Sequence, residues 1–76
     1  MVAWEKDLGC WQAFLGGGLI LTVYRDDDPE DPDKPFEVVA FDVPLRDNFA
    51  SLEEAQAAAE REARRMLKRA LVLLGA

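Results

Sequence analysis

FLGGGLILTVYR, Phe14 to Arg25, decides the fold. Its second half, Leu19 to Arg25, is rich in β-branched and aromatic residues and reads as a strand. Cys10 to Leu15 reads as the strand before it, and Gly16 to Gly18 as the turn between them. Three successive glycines also occur in phosphate-binding loops, but there a Lys-Ser or Lys-Thr pair follows and the chain opens a helix. Here it continues as a strand, so the glycines serve a hairpin that needs positive φ.

Working outward, Phe36 to Val43 (FEVVAFDV) gives a third strand, ended by Pro44. Ala3 to Lys6 extends the first strand across a kink at Asp7-Leu8-Gly9. Beyond Pro44, Ser51-Leu52-Glu53-Glu54 forms a capping box, in which the serine hydroxyl accepts from the Glu54 amide. From there to about Leu74, the residues Leu52, Ala55, Ala59, Ala63, Met66, Leu67, Ala70 and Leu74 recur at helical spacing. Small residues at the start bring the helix close to the sheet, and bulky ones fill a wider end. The expected fold is α+β: a three-stranded antiparallel sheet, made of a β-hairpin plus a third strand, followed by one long C-terminal helix packed on one sheet face. Seventy-six residues make one domain, 1–76. One helix covers only one face, and Leu71 to Leu74 are apolar all round, so a partner or a second copy in a homodimer is expected to cover the remainder.

Composition narrows the function. The single cysteine, Cys10, allows no intrachain disulfide, which favours a reducing compartment. MVAWEKDLG carries acids early and does not read as a signal peptide. The apolar runs are too short to span a bilayer. The expectation is a cytoplasmic protein with no membrane association and no cofactor. There is no histidine, one serine, one threonine and one tyrosine, so a hydroxyl nucleophile lacks its usual imidazole base and the chain is not expected to be an enzyme.

The net charge is −6. Most of it comes from RDDDPEDPDKP, Arg25 to Pro35, where six carboxylates and three prolines share eleven positions. Overall acidity disfavours direct nucleic-acid binding and favours a protein partner with a basic surface. Asp26, Asp28, Glu30 and Glu37 match the ligand spacing of an EF-hand loop. However, Asp31 stands where that loop needs glycine, prolines stiffen the path and the flanks are strands, so no dedicated metal site is expected and a calcium-stabilised loop is the least favoured of three readings. Two readings of the loop remain. In one, acids and prolines keep a long connection soluble and stop strand edges from pairing. In the other, Asp26, Asp27, Asp28, Glu30, Asp31 and Asp33 imitate nucleic-acid phosphates and dock in a basic groove. Trp4, Trp11 and Tyr24 are candidate aromatic anchors for the same partner. On the helix, Arg61, Arg64, Arg65 and Lys68 share one side, with Glu60 and Glu62 near enough to pair with them.

Two resemblances accompany these residues. The order of strands then helix, with FASLEEAQAAAE (49–60) opening the helix, resembles the small HicB-type antitoxin domain. That resemblance implies a regulatory domain dimerising through its apolar surface. In size, acidity and lack of catalytic equipment the whole chain is similar to phage-encoded anti-CRISPR proteins. That likeness implies an inhibitor in the host cytoplasm that blocks a surface of a CRISPR effector complex.

Overall fold

The computed structural model describes residues 2–75. Its strands are β1 (Glu5–Asp7), β2 (Cys10–Gly16), β3 (Leu19–Arg25), β4 (Phe36–Ala40) and β5 (Val43–Pro44), and they precede one helix, α1 (Leu52–Leu73). The strands form one antiparallel sheet in chain order, a five-stranded meander rather than the three-stranded sheet expected.

Both additional strands come from turns that the sequence disguises. Leu8 and Gly9 have φ of 45° and 85°, and Phe41 and Asp42 have φ of 51° and 66°. Each pair therefore makes the two-residue hairpin turn whose central residues both need positive φ. Glycine and aspartate favour that geometry, whereas leucine and phenylalanine hide it. The expected kink at Asp7-Leu8-Gly9 is thus a chain reversal, and the segment before it pairs alongside β2 with Lys6 opposite Trp11. The expected third strand stops at Ala40 instead of Val43. Pro44, read as a terminator, lies in β5 opposite Val39 at the sheet edge, where its missing N–H breaks no ladder. The glycine hairpin forms as expected: Gly16 pairs with Leu19 around Gly17-Gly18, and a bulge at Leu15 sets the twist.

Pairing fixes the faces. Trp11, Val23 and Val38 share one row, and Ala13, Leu21 and Ala40 the next, all on one face. Against them pack Ala55, Ala59 and Ala63 of α1, and these buried residues form a single core with Leu21, Val23 and Val38 as its largest members. The alanines allow a close helix-to-sheet approach, so this small core contains few large side chains. Val2 and Trp4 pack on the same side. The Ser51 hydroxyl accepts from the Glu54 amide at 3.2 Å, which satisfies one of the free N–H groups of the first turn.

Of the bulky residues late in α1, Met66 packs against the core, whereas Leu67 and Leu71 to Leu74 do not. Twenty-two helical residues span about 33 Å, whereas the longest strands, of seven residues, span about 24 Å. The helix begins near Phe49, which pairs with Phe36 at the start of β4. Further along, Glu62 and Arg65 line a groove with the segment Val43 to Asp47 and with Phe49. The last two turns of α1 run past the sheet, with Leu71, Leu73 and Leu74 exposed by 55%, 77% and 81%.

Candidate partner-binding surface

The acidic connection is ordered by its own backbone. The Asp26 amide donates to the Pro35 carbonyl at 2.8 Å, closing the loop at its base, and the Lys34 amide donates to the Asp31 carbonyl at 2.9 Å. Two aspartates fix the path between. The Asp26 carboxylate accepts from the Asp28 amide at 2.9 Å, and the Asp31 carboxylate accepts from the Asp33 amide at 3.0 Å. Such side-chain turns are what aspartate offers that glutamate does not. Pro29 and Pro35 are half-buried, while Asp27, Asp28, Glu30, Asp31 and Asp33 are exposed. Among the described residues the only ion pair is Glu62 with Arg65, so no described cation is paired with a loop carboxylate.

The EF-hand spacing does not become a coordination shell. Asp26 is turned to its own backbone, and Glu37 lies in β4 opposite Tyr24. Among the described residues no three acidic, cysteine or histidine side chains converge on a point that could hold a metal.

The aromatic candidates separate. Tyr24 is 44% exposed, on the face away from α1. Trp11 is half-buried on the helix face, tilted against Phe36 at 6.1 Å between ring centroids, with the Lys6 ammonium 5.4 Å above its ring. Even so, Trp11, Tyr24 and Asp27 line one shallow depression, together with Lys6, Leu8 and Arg25. This depression sits where the Leu8-Gly9 turn meets the acidic loop. Trp4 is elsewhere: it packs against the core and its indole N–H donates to Glu60 at 3.3 Å. The sequence reading missed Lys6 and Leu8 as neighbours of the loop. Treating Leu8-Gly9 as a two-residue turn would have placed Lys6 opposite Trp11.

The second sheet face carries Gln12, Phe14, Ile20, Thr22, Tyr24 and Val39, and none of the described strands or the helix lies over it. Thr22, at its centre, is only 6% exposed, whereas Phe14 is 58% exposed. Cys10 lies on this face too, its thiol donating to the Asp7 carbonyl at 3.1 Å.

On the helix, the expected Glu60–Arg64 partnership gives way to two others. Glu60 accepts from Trp4, and Arg65 donates through Nε to Glu62 at 3.1 Å. That contact holds the Glu62 carboxyl below its ordinary range and raises the Arg65 guanidinium. Among the described residues, no helix is long and apolar enough to cross a membrane.

No protein-family profile matches the chain, and comparison with curated proteins and with solved structures returns no significant similarity.

Proposed function

We propose that this protein is a non-enzymatic inhibitor that occludes a basic nucleic-acid-binding surface of a partner, and that the partner is a CRISPR effector complex in the cytoplasm of a phage host. The observation that carries the reading is the ordered loop between β3 and β4, which displays carboxylates paired with no described cation on a backbone already held by its own hydrogen bonds. Preorganisation matters because a flexible acidic tail would lose ordering entropy on docking, whereas this loop has less to lose. Tyr24 and Trp11, beside Asp27, supply flat apolar contact at the rim. In this reading the protein uses no cofactor and does not touch nucleic acid or membrane itself.

The test is target-DNA binding by purified CRISPR effector complexes, with the native protein and with a variant in which the six loop acids are Asn or Gln. Native protein is expected to release the DNA and the neutral loop to fail, with inhibition weakening steeply as salt rises. Equal inhibition by both proteins, or DNA retention by every complex tried, would refute the reading.

A further inference from the structure

The overhanging end of α1 carries an inference separate from the loop's role. Leu67, Ala70, Leu71 and Leu74 fall at i, i+3, i+4 and i+7, the spacing of a seam that packs against another helix. All four are exposed, whereas Ala59 and Ala63, one to two turns earlier, are buried. Surface area gives the scale. A compact monomer of 8.5 kDa exposes about 4,700 Å², whereas this chain exposes 5682 Å². Its radius of gyration is 13.0 Å, against about 11.4 Å for a compact chain of this length. The excess, roughly 1,000 Å², is spread over an elongated molecule of 43 × 22 × 19 Å whose helix end projects past the sheet.

Charge selects the occupant and its direction. The last turn of α1 contains no basic residue, although cations are favoured where helix carbonyls go unpaired. The chain's own cations come earlier: Arg64 and Lys68 flank the seam on one side. In an antiparallel pair of identical helices, Lys68 lies beside the last turn of the other copy. We propose that two copies of this chain dimerise through Leu67, Ala70, Leu71 and Leu74, with α1 antiparallel to its mate and a two-fold axis between Ala70 and Leu71. The small Ala70 at the crossing lets the backbones approach, and Leu67 of each copy meets Leu74 of the other. The acidic loops, beside the opposite end of each helix, point away from the contact, so like charges stay apart.

Sedimentation velocity at tens to hundreds of micromolar tests the assembly, using native chain and Leu71→Glu. Leu71 is 55% exposed, so its substitution is expected to leave the fold intact, checked by circular dichroism. Native chain is expected to sediment as a dimer, and Leu71→Glu to weaken association at least tenfold. Geometry is tested in a Cys10→Ser background by oxidation of Ala70→Cys and Val72→Cys. The first is expected to cross-link between copies at least tenfold faster, because Val72 lies outside the seam. A monomeric native chain, a dimer indifferent to Leu71→Glu, or equal cross-linking at the two positions overturns the proposal. A native monomer whose helix end instead binds phosphatidylglycerol vesicles would overturn it in favour of a lipid surface.

Discussion

The indole N–H of Trp4 donates to the Glu60 carboxylate at 3.3 Å, joining residues 56 positions apart. The contact ties the segment before β1 to the middle of α1 on the side of the sheet where the core lies. Because the acceptor is ionisable and the pair is partly buried, Trp4→Phe is expected to cost about 1–2 kcal/mol. Glu60→Gln keeps an acceptor and should cost less. Urea denaturation of the two variants provides the comparison, and equal, negligible losses would show that the contact contributes nothing.

The turn at Leu8-Gly9 places a leucine at φ 45° although its side chain is 98% exposed and has no packing to lose. A non-glycine residue in that region carries strain of order 1–3 kcal/mol, and asparagine tolerates it better than leucine. Leu8→Asn, which creates the Asn-Gly pair favoured in such turns, is expected to stabilise the fold by about 1 kcal/mol. An unchanged or lower denaturation midpoint would show that the leucine at this turn carries no strain that asparagine relieves.

Helix-to-sheet spacing is set by alanine. Ala59 is fully buried between α1 and the sheet, so Ala59→Leu has no room and is expected to cost about 1–3 kcal/mol. Ala57, on the exposed side of the same turn, is the control: Ala57→Leu should change stability by less than about 0.5 kcal/mol. Thermal melts of the pair would distinguish a tight layer from one that can relax.

The Glu62–Arg65 contact predicts a pH response. Its hydrogen bond depresses the folded-state pKa of Glu62, so the contact stabilises at neutral pH and its contribution disappears as pH falls through that depressed value. Arg65→Ala should raise the Glu62 midpoint, as followed by carboxyl NMR, and the stability difference from native protein should vanish in acid. The pair is exposed, so the effect is small and shrinks with salt.

The sequence made plain those elements whose signal is periodic or compositional. The alternation in Leu19 to Arg25, the glycines at 16 to 18 and the Ser51 cap all appear where their chemistry places them. The edge strands were hidden because Leu8 and Phe41 occupy turn positions that their side chains disfavour; tertiary context prevailed there over local preference. Helix length was readable, but its overhang was not, since that depends on how far the strands extend beneath it. The acidity of the loop was legible, whereas its ordering rests on which aspartates face backwards, and Asp26 and Asp31 resemble their neighbours on paper. The separation of Trp4 from Trp11 and Tyr24 required the register of β1.

In the meander every strand pairs with its chain neighbour, and the helix comes only after the last of them. The sheet can therefore assemble by successive hairpins as the chain is synthesised, without waiting for a distant segment. Its face of Ala13, Leu21, Val23, Val38 and Ala40 stays wet until Ala55, Ala59 and Ala63 have emerged from the ribosome. A chain cut off near residue 50 would keep every strand but leave that apolar side naked, the form most in need of a chaperone.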